Sequence, residues 1–358
     1  MITILSIVGA RPQFIKCAPL SKKIREWCTE ILVHTGQHYD ENMSDVFFSE
    51  LGIPNPDYNL HIGSGNHGEQ TGKMLEAIEQ ILLDKKPNLV LVYGDTNSTI
   101  AGSLAASKLH IPVAHVEAGL RSYDRRMPEE INRVLTDHVS DLLFCPTQTA
   151  VRNLEKEGIT RSVYITGDVM VDAIFKALPV ARKMSNVLAD IQVFANEYYL
   201  ATIHRPSNTD DKKNLVSILQ AFSELSYPVV FPIHPRTRKF LESYGISISE
   251  YPNIIFVAPL PYVDMVRLLF DSRLVLTDSG GLQKEAYILK KPCITLRDTT
   301  EWVETVEDDW NILVGADKAK IMNGVSILDG YMGVHRQCYG DGNASERIVG
   351  IIKDHLSA

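Results

Sequence analysis

The chain is expected to be an α/β protein of two doubly wound, Rossmann-like domains facing each other across a cleft. Three observations lead there. At 358 residues it exceeds what one hydrophobic core ordinarily organises. Short β-branched runs alternate with amphipathic helical stretches from end to end, the pattern of parallel sheets built from crossover units. Nearly every apolar run leads into a polar or glycine cluster at its C-terminal end, where open α/β sheets bind their ligands.

In the first half, strands are expected at Ile2–Val8, Glu30–His34, Leu89–Tyr93, Val113–Val116, Leu142–Cys145 and Val163–Ile165. In the second half they are expected at Tyr199–Ile203, Val229–Ile233, Asn253–Val257, Leu274–Thr277 and Cys293–Leu296. Between the sets, 168–196 reads as a helix followed by a weakly patterned charged stretch, the crossing between domains. The expected division is a first domain over 1–170, a second over 171–340, and a C-terminal helix within 341–358 packing back on the first domain.

Composition narrows the function. A net charge of −8 leaves no basic field for nucleic acid, so a phosphorylated partner must be small and met by a few local cations. The five cysteines lack any C-x-x-C spacing, against both a disulfide framework and a thiolate zinc site. No apolar stretch approaches the roughly 20 residues of a membrane span. The expectation is a cytoplasmic enzyme with no metal and no cofactor.

The polar clusters carry the chemistry. Leu274–Glu285 reads as strand, tight turn and helix, with Ser279, Gly280 and Gly281 offering backbone N–H groups to an anion at the helix N-terminus. An ordinary N-cap by Asp278 or Ser279 explains the same residues, and the sequence leaves both readings open. Glu285, a helical turn further on, is placed to accept from ribose hydroxyls. Gly9–Lys16 follows the first strand and opens a helix with Pro12 in its first turn, bringing Arg11 and Lys16 to one helix mouth. Asp95 and Glu117 end adjacent strands and Glu129 opens a helix; carboxylates around one cleft can have their pKa values pushed apart into an acid and a base. The plainer alternatives are an N-cap for Asp95 and helix-dipole charges for Glu129 and Glu130. His204 and His234 end strands of the second half, where they can donate to phosphate. Gly63–Gly68 matches a dinucleotide fingerprint, but Tyr58–Ile62 before it makes a poor buried strand, so a loop is expected instead. His34 and His38 sit at a strand end rather than on one helix face, so no metal is expected there.

Taken together, Gly9–Lys16, Gly36-Gln37-His38, Gly94-Asp95-Thr96, His115–Arg121, Pro128–Arg133 and Asp278–Gly281 make the chain resemble the non-hydrolysing UDP-N-acetylglucosamine 2-epimerases over nearly its whole length. That resemblance implies the glycosyltransferase-B architecture, a homodimer, and interconversion of UDP-GlcNAc and UDP-ManNAc through UDP elimination and re-addition. It places nucleotide contacts on Arg11, Lys16, His204, Ser279, Gly280, Gly281 and Glu285. Catalytic candidates fall on Asp95, Glu117, Glu129 and His204. Trp302 stands where many members carry arginine, Gln13 and Ser207 where glutamate is common, and Asp40 where regulated members carry glutamine. Gln13 and Trp302 resemble the branch acting on UDP-2,3-diacetamido-2,3-dideoxyglucuronic acid, which keeps that substrate as the alternative. Answers of another class are a glycosyltransferase or a non-catalytic nucleotide-sugar binder.

Overall fold

The computed structural model describes residues 2–37 and 52–357. Contacts divide the chain into two compact units, Met1–Phe175 with Cys338–Ala358, and Lys176–Gln337. Each is an α/β unit around a parallel sheet.

The first sheet contains, among the described residues, β1 (Thr3–Val8), β2 (Thr29–His34), β3 (Tyr58–Asn59), β4 (Leu89–Tyr93), β5 (Val113–Val116), β6 (Leu142–Cys145) and β7 (Val163–Ile165). Their order is β3-β2-β1-β4-β5-β6-β7, and the paired strands run parallel. Val90, Val92 and Val113 pack with Leu5 and Ile7 under Met74, Ile78 and Leu82 of the helix His67–Lys85 and Ala101, Ala105 and Ala106 of the helix Asn97–Lys108. The alternate residues of β4, Leu89, Leu91 and Tyr93, are equally buried. Burial on both faces is what a sheet with crossover helices on each side requires.

In the second unit the described strands are β8 (Tyr199–Thr202), β9 (Val229–Pro232), β10 (Ile254–Val257), β11 (Leu274–Thr277), β12 (Cys293–Thr295) and β13 (Asn311–Leu313), ordered β10-β9-β8-β11-β12-β13. Period-two alternation separates its two faces. Tyr199, Ala201, Leu274, Leu276 and Ile294 pack with Leu215, Ile218, Leu219 and Phe222 of the helix Lys212–Ser223. Leu200, Val275 and Cys293 pack with Leu268 and Leu269 of the helix Tyr262–Asp271 and Leu282 and Ala286 of the helix Gly280–Ile288.

Strand order reverses direction between β1 and β4 in the first sheet and between β8 and β11 in the second. At such switch points neighbouring crossovers leave toward opposite faces, opening a crevice beyond the carboxyl ends of the strands. The segments emerging there are Gly9–Gln13 and Gly94–Thr96 in one unit, and Ile203–Arg205 and Asp278–Gly281 in the other.

Two strands were not anticipated from the sequence. β3 is two residues long at the sheet edge, and Asn311–Leu313 is short and lies between charged stretches. The Gly63–Gly68 stretch is a loop only as far as Asn66, because His67 and Gly68 already belong to the first turn of a helix. Among the described residues no helix is long and apolar enough to cross a membrane.

Candidate functional site

After β1 the backbone turns sharply at Gly9, where a β-carbon would run into the hydroxyls of Thr35 and Ser98. Gln13, buried in the first turn of the helix Arg11–Arg25, accepts from the N–H groups of Gly9 (2.8 Å) and Ala10 (3.1 Å). Its amide nitrogen donates to the Tyr93 carbonyl (2.8 Å) and to Thr99 Oγ1 (3.0 Å). One carboxamide therefore ties the β1 turn to the end of β4. Arg11 opens this helix, and Lys16 reaches back from its second turn to an ion pair with Glu117, both side chains nearly buried.

Glu117 follows β5 with φ of +73°, a left-handed conformation that costs a non-glycine residue energy and recurs at functional sites. Gly94, also left-handed, lies beneath the pair: a β-carbon there would sit 3.2 Å from Lys16 Nζ and 3.3 Å from Glu117 Oε2. Asp95, partly exposed, pairs with the buried guanidinium of Arg133, which lies 3.1 Å from Glu130 Oε2. Asn132 donates to the Asp95 carbonyl (3.0 Å) and to Asn97 Oδ1 (3.1 Å). The N-cap of the following helix is Thr96, which accepts from Thr99 N–H. The adjacent glutamates divide their work. Glu130 is buried and receives Ser122 N–H (2.9 Å) and Tyr123 N–H (2.8 Å), fixing the approach to the helix Pro128–Val139, while Glu129 lies half-buried in its first turn.

In the second unit, buried Asp278 receives the N–H groups of His204 (3.0 Å) and Arg205 (2.9 Å) and the side-chain amide of Asn208 (3.0 Å). Asp278 thus anchors the segment after β8, leaving Ser279 as the N-cap of the helix Gly280–Ile288, with Leu282 N–H donating over 3.5 Å. A bond that long is at the weak end of capping geometry. The His204 and His234 rings lie tilted against each other with centroids 5.3 Å apart. His234 Nδ1 accepts from Arg236 N–H, which puts the proton of the neutral ring on Nε2. Around the turn, a β-carbon on Gly280 would strike the Glu301 carboxylate, whereas one on Gly281 would meet only Ser279 Oγ, at 3.8 Å. Glu301 lies 3.0 Å from Arg297, and buried Lys284 sits 4.1 Å from the Trp302 ring centre. Tyr262 OH donates to Glu285 over 3.4 Å.

Sequence reasoning assigned no role to Arg133, Asn132, Lys284, Arg297 or Glu301. Arg133 and Asn132 lie within the Pro128–Arg133 stretch already singled out, one helical turn past Glu129. Lys284 lies in the Leu274–Glu285 stretch already singled out, in the helix that the turn opens, whereas Arg297 follows the next strand, so only the tertiary fold joins it to the turn. Among the described residues no group of three or more His, Cys, Asp or Glu is placed to hold a metal. His38 and Asp40 lie outside the described residues.

Two α/β units, each around a parallel sheet with one switch point, are the architecture of the glycosyltransferase-B fold class. The family profile of UDP-N-acetylglucosamine 2-epimerase matches residues 22–353, and the chain belongs to that family. It is 55% identical to a UDP-N-acetylglucosamine 2-epimerase homolog of Methanococcus maripaludis, over 98% of this chain and 99% of that one. It is 51% identical to the UDP-2,3-diacetamido-2,3-dideoxy-D-glucuronate 2-epimerase of Pseudomonas aeruginosa, over 97% and 98%. The crystal structure of Methanocaldococcus jannaschii UDP-GlcNAc 2-epimerase in complex with UDP-GlcNAc and UDP matches with a TM-score of 0.93 at 46% identity, covering 99% of each chain.

Proposed function

We propose that this chain interconverts UDP-N-acetylglucosamine and UDP-N-acetylmannosamine. The observation that carries the reading is a pair of carboxylates on the turns after the adjacent strands β4 and β5, each held against a buried cation: Glu117 by Lys16 and Asp95 by Arg133. A hydrogen on sugar C2 beside an acetal carbon is not acidic. Expelling UDP from C1 makes C1 electron-poor, and C2–H is then removable to give a 2-acetamidoglucal. Proton delivery to the opposite face of C2 and return of UDP complete the inversion, with no redox change.

In this reading Ser279 and the N–H groups of Gly280 and Gly281 receive the diphosphate, with Arg11, Lys16 and His204 supplying positive charge or donors as UDP leaves. Glu285 accepts from the ribose. Glu117, Asp95 and Glu129 handle the C2 proton. An ion pair favours the ionised form of a carboxylate, the form that takes a proton. The chain is further read as cytoplasmic and as a homodimer; the dimer reading is supported by Ile131 and Leu135, exposed one turn apart on the helix Pro128–Val139.

A second reading, the diacetamido-uronate 2-epimerase, has specific support. Identity to the Pseudomonas aeruginosa enzyme is 51%, against 48% to the Methanocaldococcus jannaschii UDP-GlcNAc 2-epimerase, and the Lys284 ammonium lies over the Trp302 ring beside the glycine turn. NMR of each sugar nucleotide incubated with the protein in deuterated water separates the readings. The first predicts epimer and deuterium at C2 from UDP-GlcNAc; turnover of the uronate alone establishes the second. Transfer to an acceptor without C2 exchange would sink both. Asp95→Asn and Glu117→Gln are expected to lower kcat about 100-fold or more with KM little changed.

A further inference from the structure

His115 is a polar residue in the middle of β5, among the buried apolar residues Val113, Ala114 and Val116, and its side chain is fully buried. A position that only filled space would suit a β-branched aliphatic, and burying an imidazole is costly unless both nitrogens are satisfied. Both are. Nε2 donates to the carbonyl of Gly94 at 2.7 Å, and Nδ1 meets Asp137 Oδ1 at 2.7 Å. The other oxygen of Asp137 receives Gly119 N–H (3.1 Å) and Arg121 Nη1 (2.7 Å). Gly94 precedes Asp95, and Gly119 is two residues past Glu117. Both glycines are left-handed, and a β-carbon on Gly119 would overlap the Ala150 carbonyl, so neither turn readily accepts a residue with a side chain at these positions.

We propose that His115 is a positioning residue that, through Asp137, locks the turn bearing Asp95 to the turn bearing Glu117 and so sets the spacing of the two carboxylates about the sugar C2. The inference rests on the epimerase reading above. The intermediate must be reprotonated before it escapes, so a displacement of one carboxylate relative to the other shows as failed reprotonation. Weakened nucleotide binding is not its signature.

The test uses the full-length protein and its His115→Gln and Asp137→Asn variants, each checked for a folded far-ultraviolet spectrum and cooperative melting. NMR in deuterated water then follows epimer, C2 deuterium, free UDP and free glycal. Expected are a kcat lowered about 10- to 100-fold, KM and UDP affinity within about threefold, and more free glycal per turnover than the unaltered protein releases. Hydrogen exchange at 94–99 and 117–121 should accelerate in both turns together. The proposal is overturned by folded variants with unchanged glycal partition, by KM rising in step with the fall in kcat, by loosening of one turn only, or by failure of both variants to fold, which would make the bridge a stability element. An unaltered protein that turns over neither sugar nucleotide refutes the epimerase reading instead, and the exchange data alone then decide whether His115 couples the turns.

Discussion

The carboxamide of Gln13 receives two backbone N–H groups with its oxygen and donates twice with its nitrogen, so its two ends are not interchangeable. A glutamate at this position would still accept from Gly9 and Ala10, but would set a second oxygen against the Tyr93 carbonyl. The departure noted in the sequence thus has a local physical meaning in this chain. Asp137 is the other residue on which much converges. Burial pushes its carboxyl up, but the His115 and Arg121 donors and charges outweigh that and hold it below the ordinary aspartate range. A depressed folded-state pKa contributes stability that is present above the unfolded value, about pH 4, and is lost as pH falls through the folded value. Glu157 is shifted the same way by its bond to Arg121. Urea titrations from pH 7 down to about pH 2 should therefore show a steep loss of first-unit stability below about pH 4. Asp137→Asn, destabilised by about 3 kcal/mol at pH 7, should show a shallower acid limb. An identical limb in the variant would show that other groups carry it.

At the scale of elements, the helix Gly280–Ile288 separates fold from function. Gly281 has negative φ and open space for a methyl group, and it stands in a helical turn where alanine is the better former. Gly281→Ala is expected to raise stability by about 0.5 to 1 kcal/mol. If the backbone here receives a diphosphate, the same change should weaken UDP binding about tenfold or more, because the methyl group stands where the phosphate must approach. Calorimetric titration with UDP beside thermal melting measures both. A stabilised variant with unaltered UDP affinity would leave Ser279–Gly281 as an ordinary capped turn. The sequence exposed this element well, since strand, turn and helix follow within twelve residues, Leu274 to Glu285. It exposed β3 and β13 poorly, because strands of two and three residues leave too few side chains for period-two alternation to register. In the first unit, the ion pairs joining Lys16 to Glu117 and Arg133 to Asp95 bridge 101 and 38 positions of chain, and no local pattern announces them.

At the scale of the whole chain, the first unit is assembled from two stretches of sequence, Met1–Phe175 and Cys338–Ala358. Buried Asp172 closes that assembly by accepting Ala344 N–H (3.1 Å) and Ser345 N–H (2.9 Å), capping the helix Ala344–Ser357 from outside it. Ile348, Val349 and Ile352 of that helix are buried. Asp172→Ala is expected to cost about 2 to 4 kcal/mol, through the lost charged acceptor and the donors left behind. Hydrogen exchange should speed up across residues 344–352 while residues 215–222 of the second unit stay as protected as before; equal acceleration in both would mean the chain unfolds as one body.

The alternation of apolar runs with amphipathic helices, and the polar residues at strand ends, are periodic or adjacent properties, written within a few residues of each other. By itself the sequence therefore determined a two-unit α/β fold, all but the shortest strands of its sheets nearly to the residue, and the family. Which cation meets which carboxylate, why a histidine lies in the heart of β5, and how Arg297 reaches the glycine turn were decided only by the tertiary structure. Those relations join atoms distant along the chain, and strand order, which places β4 beside both β1 and β5, is what brings them within bonding distance.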